Sequence, residues 1–146
     1  MIVEGGLVVG YDADGNSKLE GLVWNMRLVL GTGEVDLSES AIEVSVFIGS
    51  LNESRLSYNS ALNDEAYFWN SAAINNTYGM AFYDEVHSNT ILDAGEIVRF
   101  FVLLDATTHE IAGNDNVMIV LISSVAMMKV SKVAPTGIEP GMNLLR

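Results

Sequence analysis

The sequence contains no cysteine, only two prolines and few basic residues. The lack of cysteine excludes disulfide bonds, thiolate metal sites and cysteine nucleophiles together. Long hydrophobic runs are also missing, since the longest apolar stretch, residues 117–128, is interrupted by Ser123 and Ser124. A membrane-spanning helix needs roughly 18 or more consecutive apolar residues. We therefore expect no transmembrane segment and no membrane partner for this chain.

Positive charge is scarce: 7 Lys and Arg stand against 19 Asp and Glu, for a net charge of -12. Nucleic acids are bound through a basic surface, so no nucleic-acid partner is expected. Hydrophobic residues nevertheless make up 49% of the chain. An apolar surplus without a membrane span indicates lateral contacts with other subunits.

The pattern of apolar residues predicts strands rather than helices. Two apolar runs, residues 22–30 and 41–48, flank a polar connection. In the second run Ile42, Val44, Val46 and Ile48 alternate with other residues, which is typical of a half-buried strand. The first run is more continuously apolar, as expected for a strand covered on both faces.

The remaining sequence adds further strand segments separated by turns. The predicted strands are residues 2–11, 19–30, 41–50, 55–58, 78–83, 97–104, 117–122 and 125–133, and residues 136–146 read as a tail with two chain breakers. Helical periodicity is not evident anywhere. We expect a single all-β domain spanning residues 1–146, built as a β-sandwich or flattened barrel that is Ig-like in the broad sense.

The segment VWNMRLVLGTGEVDLSESAIEVSV, residues 23–46, resembles the globular outer domain of an archaellin, the archaeal flagellin. In that family a strand ends in a Gly-rich turn, and a (V/I)DLS element and a β-branched strand follow. Residues 31–38 match this pattern, and LDAGE at residues 92–96 resembles the turn that precedes a late strand in archaellins.

The resemblance implies a structural subunit of an extracellular archaeal motility filament. It implies self-association through a long N-terminal helix, which we expect to be missing from this chain, and lateral packing of outer domains. Two alternatives stay open: a pilin-like archaeal surface or accessory protein, and a carbohydrate-binding β-sandwich module. No catalytic residue stands out, because His87 and His109 lack partners at suitable spacing. We therefore do not expect an enzyme.

A turn near the start of the chain contains regularly spaced oxygen ligands. Asp12, Asp14 and Asn16 lie at i, i+2 and i+4, with Glu20 downstream. Calcium binds several oxygen ligands at such spacing, although the sequence does not match an EF-hand loop. Asp, Asn and Gly are also the usual residues of a hairpin turn, and this interpretation is favoured. No other cofactor is expected.

Two further sets of residues are candidates for surface functions. Asn52 and Asn75 begin N-glycosylation sequons, and archaellins are frequently glycosylated at such sites. Both fall in predicted loops, where a glycan is tolerated. The second set consists of candidate interface residues in an aromatic patch and a Met-rich strand, and the alternative for both is core packing: Tyr67, Phe68, Trp69, Met127 and Met128.

Overall fold

The computed structural model describes residues 2–28, 33–49, 52–70, 76–83, 90–105 and 108–146, without the side chains of residues 2–5 and 52–54. These residues form twelve strands, a 3-10 turn at Ser60–Asn63 and a short helix, α1, at Glu65–Trp69. The strands are β1 (Ile2–Asp12), β2 (Gly21–Arg27), β3 (Val35–Asp36), β4 (Ile42–Ile48), β5 (Asn52–Arg55), β6 (Ser57–Tyr58), β7 (Thr77–Phe82), β8 (Ile91–Leu92), β9 (Ile97–Leu103), β10 (Asn116–Ser123), β11 (Met127–Val133) and β12 (Gly141–Leu144).

Two larger sheets account for most of the strands. The six-stranded sheet has the order β12-β1-β2-β9-β7-β6, and the four-stranded sheet has the order β11-β10-β4-β5. All pairs are antiparallel except β6 with β7. A third, two-stranded sheet joins β3 to β8. Among the described residues, no helix is long and apolar enough to cross a membrane.

The main core lies between the two larger sheets, and alternation along the strands supplies it. Val44, Val46 and Ile48 of β4 point into this core, which confirms the predicted half-buried strand. From the other sheet, Trp24 of β2 stacks on Phe100 of β9 with ring centroids 5.4 Å apart. Two inner faces that interdigitate in this way make a β-sandwich, so the predicted all-β fold class is confirmed.

A second, smaller core covers the outer face of the six-stranded sheet. Val23 and Phe101 point away from the main core and pack under Leu62 and Phe68, which belong to the 3-10 turn and to α1. Strand β2 therefore has buried apolar residues on both faces, as its more continuously apolar sequence predicted. The approach is close at Gly79, where an added Cβ would lie 2.6 Å from the carbonyl carbon of Leu62. Only glycine fits there without displacing the covering segment.

Main-chain hydrogen bonds join the two larger sheets at both sides. On one side Leu56, between β5 and β6, donates its amide hydrogen to the Val44 carbonyl at 3.0 Å. On the other side Val133 and Arg146 exchange two backbone bonds of 2.9 Å. These links leave few open strand edges, which is how a flattened barrel protects itself from edge pairing.

The predicted C-terminal tail is wrong, because residues 141–144 form strand β12 on β1. Gly141 adopts a left-handed φ of 89°, so the chain turns there and then extends. Leu145 and Ile138 are buried in the main core, and this burial stabilises the strand. The two chain breakers of the predicted tail, Gly137 and Pro140, therefore precede a further strand instead of ending the ordered chain.

The other differences are local. The predicted strand over residues 19–30 begins at Gly21 and ends at Arg27, because Leu19 instead forms an isolated bridge with Ile111. The predicted strand over residues 55–58 is divided at Leu56 between the two sheets. The short helix α1 was not predicted, since five residues are too few to show a helical period.

The element that carries the archaellin resemblance has a structural role here. Val35 and Leu37 are fully buried, whereas Asp36 between them is exposed. The Asp36 carboxylate accepts hydrogen bonds from the Ser38 amide at 2.9 Å and from the Thr90 hydroxyl at 3.1 Å. These bonds hold the pKa of Asp36 below its usual value. The motif therefore anchors a connection to the core and brings no reactive group together.

Candidate functional site

The loop between β1 and β2 brings three carboxylates together. Candidate ligand oxygens of Asp12, Asp14 and Glu20 lie within 4.8 Å of one another. The loop is tightly folded, because the Asp12 carboxylate accepts hydrogen bonds from the amides of Gly15 at 2.9 Å and Ser17 at 3.1 Å. Gly15 and Ser17 both have positive φ, at 73° and 65°. This curvature turns the loop back so that Glu20 reaches the two aspartates.

Glu20 is the residue that distinguishes this loop from an ordinary turn. It is only 2% exposed. Its Oε1 accepts hydrogen bonds from the amides of Ala13 at 2.7 Å and Asp14 at 3.1 Å, but its buried Oε2 has no hydrogen-bond partner in the described structure. A buried carboxylate oxygen without a partner costs about 1–3 kcal/mol or more. A cation or a proton at Oε2 would remove this cost.

The electrostatics of the cluster favour neutralisation. The pKa of the Glu20 carboxyl is raised to about 7, chiefly by burial and also by the nearby charges of Asp14 and Asp12, against the lowering effect of the Ala13 and Asp14 amides. Asp12 is also 2% exposed. Oxygen-only ligands with several negative charges suit Ca²⁺, which takes six to eight oxygens and tolerates irregular geometry.

The structure places Asn16 differently from the predicted ligand set. The Asn16 side-chain oxygen accepts a hydrogen bond from the Lys18 amide at 3.0 Å, and its amino group donates to Glu110 at 2.5 Å. Asn16 thus ties the loop to the segment before Ile111, while Glu20 completes the carboxylate group with Asp12 and Asp14. The sequence does show Glu20 eight residues after Asp12. It does not show that the Glu20 side chain turns towards the two aspartates, because that depends on the fold of the loop.

Two of the five candidate interface residues are buried, which corrects their assignment to a surface. Phe68 is 0% exposed in the outer core and Met128 is 2% exposed in the main core. Phe68 lies against Phe101 and Tyr11, with ring centroids 5.2 and 5.9 Å apart. Neither side chain can contact a partner, so the alternative interpretation as core packing holds for both.

Of the other two aromatic candidates, Tyr67 is exposed on α1 and Trp69 borders an open groove on the six-stranded sheet. Tyr67 is 44% exposed. Trp69 is half-buried and meets Tyr11 edge-on at 4.9 Å, while the Tyr11 hydroxyl donates to the Trp69 carbonyl at 3.1 Å. The groove has a volume of about 510 Å³, and Trp69, Tyr11 and Met142 line it. The aromatic segment lies across the outer face of the sheet, and not over the end of the sandwich as the core-packing alternative assumed.

Met127 belongs to a different surface, the outer face of the four-stranded sheet. It is 59% exposed and lies opposite Ile122, which is 45% exposed. Further along β10, Val120 and Met118 share this face, and Phe47 lies opposite Met118. Sequence reasoning missed these neighbours because β10 is apolar at almost every position. A strand that is apolar at almost every position shows no alternation, so its sequence does not indicate which residues face the core.

The two sequons differ in what the structure describes. Asn52 begins strand β5 at the edge of the four-stranded sheet, so its predicted place in a loop is wrong. The hairpin partner β4 pulls residues 52–55 into the sheet. Asn75 lies outside the described residues. His87 does too, whereas His109 contacts Asn76 at 3.2 Å and Thr108 at 2.7 Å through Nδ1.

Comparison with solved structures finds the same fold in archaeal flagellins, which confirms the fold that the resemblance implies. The crystal structure of archaeal flagellin FlaB1 from Methanocaldococcus jannaschii is similar with a TM-score of 0.68 at 14% identity, over 95% of this chain and 93% of that one. The archaeal flagellum of Methanospirillum hungatei strain JF1 is similar with a TM-score of 0.60 at 12% identity, over 93% of this chain. The present chain spans 66% of that second protein. No family model and no curated protein matches the sequence.

Proposed function

We propose that this chain is the outer domain of a structural subunit of an archaeal motility filament. The observation that carries the proposal is the shared fold over nearly the whole chain with an archaeal flagellin and with an archaeal flagellum subunit. The burial of Val35 and Leu37 supports it, because these residues belong to the element that resembles the family and they anchor it to the core. The subunit acts through its surfaces and carries out no catalysis.

In this role the domain lies outside the cell and coats the filament. The apolar fraction and the exposed apolar side chains on the sheet faces supply lateral contacts between neighbouring copies. We propose that a helical segment encoded together with this domain forms the filament core. Self-association is then the central activity, and neither a nucleic acid nor a membrane is needed as a partner of this domain.

The test is to locate the protein in cells that carry the gene. An epitope inserted at Gly137, which is exposed with open space around it, would be detected by immunogold electron microscopy. Labelling along the whole length of filaments, with loss of swimming on deletion of the gene, is expected. Labelling confined to sparse positions would indicate an accessory subunit, and the pilin-like alternative would replace the proposal if filaments persist and motility is unchanged.

We further propose that Asp12, Asp14 and Glu20 bind one Ca²⁺. The buried, unpartnered Oε2 of Glu20 supports this, together with the 4.8 Å clustering of the three carboxylates. Bound calcium would neutralise the buried charge and fix the β1–β2 connection. Calorimetric titration of the chelator-treated protein should show one site, and Glu20→Gln should abolish it. Unchanged binding in that variant would contradict the assignment.

The glycosylation of Asn52 and Asn75 stays a proposal that depends on export. The sequon at Asn52 begins β5, the last strand in the order of the four-stranded sheet. Mass spectrometry of protein purified from filaments should find a glycan on the peptide that contains Asn52. Unmodified peptides at both asparagines would remove the proposal without affecting the filament role.

A further inference from the structure

The outer face of the four-stranded sheet carries an apolar strip in its middle. The strip consists of Phe47 on β4, Met118, Val120 and Ile122 on β10, and Met127 on β11. Strand register aligns them, because Met118 pairs with Phe47, and Ile122 pairs with Met127. Ile122 and Met127 are 45% and 59% exposed. At the Phe47 end, an open groove of about 470 Å³ runs between Phe47, Met118 and Ser131.

The charge of this sheet is opposite to that of the rest of the chain. Its four strands contain three basic residues, Arg55, Lys129 and Lys132, and two acidic residues, Glu43 and Glu53. The remainder of the chain therefore contains 4 basic and 17 acidic residues of the total of 7 and 19. Arg55 and Glu43 form a salt bridge of 3.1 Å with each other. Lys129 lies beside the strip, opposite Val120.

Charge complementarity identifies a second copy of the chain as the occupant. Two strips packed against each other would bring the Lys129 side chains of both copies together, which is unfavourable. The strongly acidic remainder of another copy complements Lys129 instead. A contact between two different surfaces of identical subunits is heterologous, and heterologous contacts that do not close into a ring generate open filaments.

The size of the face agrees with a contact that forms only within an assembly. Four strands about 4.8 Å apart and about seven residues long cover roughly 400 Å². A stable isolated pair buries about 800 Å² on each partner. The strip alone is therefore too small to hold a dimer in solution, but it suffices where further contacts align the subunits.

We propose that the apolar strip and Lys129 dock onto the acidic surface of a neighbouring copy in the filament. The proposal rests on the filament role proposed above and names the surface that this role uses. It accounts for apolar residues on an otherwise charged exterior, and for the low charge of β10 at the centre of the face.

The absence of native cysteine makes labelling a direct test. Ser131→Cys places an exposed thiol on the strip side of β11, opposite Met118. Ala66→Cys places an exposed thiol on α1, and Gly137→Cys places one on the loop before β12. Each variant is produced as the full gene product in cells, and maleimide reactivity is compared between sheared filaments and dissociated subunits. Reaction at one of the two control positions shows that the reagent reaches the filament surface.

We expect Ser131→Cys to react at least tenfold more slowly in filaments than in subunits. Equal rates in the two states would overturn the docking surface while leaving the filament role intact. Protection on whole cells that disappears in sheared filaments would identify a cell-envelope occupant and would also overturn it. If the protein is not found in filaments at all, both proposals fail.

A charge reversal gives an independent readout should the cysteine variant disturb folding. Lys129→Glu should reduce filament length or number severalfold, while circular dichroism and thermal unfolding of the variant subunit stay unchanged. Lys129→Arg, which keeps the positive charge at the same position, is the matched control and should assemble normally. Normal filaments from Lys129→Glu would overturn the proposal.

Discussion

The two outer faces of the sandwich are both apolar at the centre, but the chain covers one of them and leaves the other exposed. On the six-stranded sheet, Val23 and Phe101 are covered by Leu62 and Phe68 from the chain itself. On the four-stranded sheet, Ile122 and Met127 stay exposed, and the described part of the chain places no element over them. The first face stabilises the fold, and the second is available to a partner. Apolar composition alone does not distinguish these uses.

The largest expected effect comes from removing the cover of the first face. Phe68→Ala should lower the free energy of unfolding by about 3–5 kcal/mol, because a fully buried ring that contacts Phe101 and Tyr11 is lost. Chemical denaturation of the two proteins measures the difference. Met127→Ala on the second face is the control and should cost less than about 0.5 kcal/mol. Similar losses for both variants would mean that the two faces do not differ.

A cation would add to the stability of the covered sheet, since the carboxylate loop connects two of its strands. With calcium at a hundred times its Kd, the free energy of unfolding of the wild-type chain should rise by about 2.7 kcal/mol. That of Glu20→Gln should hardly change. Without calcium at neutral pH, the variant should be the more stable of the two, because it lacks the buried charge. Thermal unfolding of the wild type and the variant, once with calcium and once with chelator, measures both differences in stability. A variant that is less stable under both conditions would contradict the cation role.

The pH dependence of the calcium-free protein follows from the same group. The pKa of Glu20 is raised from 4.5 in the unfolded chain to about 7 in the folded one, so the folded state binds the proton more tightly. The proton therefore adds to the free energy of unfolding below pH 4.5, and this stabilisation is lost as the pH rises to about 7. Denaturation midpoints between pH 4.5 and 7.5 should show this loss in the wild type, and Glu20→Gln should remove it.

A smaller effect tests how closely the cover approaches the first face. Gly79→Ala should cost about 1–3 kcal/mol, because the new methyl group would meet the Leu62 backbone. Gly137→Ala, at a position with no atom within 4 Å of an added Cβ, should be nearly neutral. Chemical denaturation of the two variants and the wild type measures both changes in stability. A neutral Gly79→Ala would show that the covering turn can move away without loss.

The smallest effect on stability is expected on the second face, where the effect on assembly is large. Ile122→Thr keeps a β-branched residue at a 45% exposed position, so unfolding should change by less than about 0.5 kcal/mol. Filament formation should nevertheless fall if the apolar strip is a contact surface. Comparing unfolding of the subunit with filament yield from the same variant separates the two roles.

Strand β10 shows why some functional residues could not be predicted. Its sequence NVMIVLIS is apolar on both faces, so no pattern indicates that Val117, Ile119 and Leu121 are buried while Met118 and Ile122 face outward. The same ambiguity placed Met128 among the surface candidates next to Met127. Adjacent residues of a strand point to opposite faces, but only the register with β4 and β10 fixes which face each one takes.

Local patterns by themselves determined the all-β class, the alternation in β4, the two-sided burial of β2 and the family resemblance around Val35 to Ser38. These features depend on residues close together in the chain. The tertiary structure decided the rest: the pairing of Gly141–Leu144 with β1, the burial of Phe68 against Phe101, and the position of Glu20 beside Asp12 and Asp14. In each case the deciding contact lies between segments that meet only when the sheets assemble or the loop folds back. The local spacing of apolar residues does not predict such contacts, because they depend on the free energy of the whole packed domain.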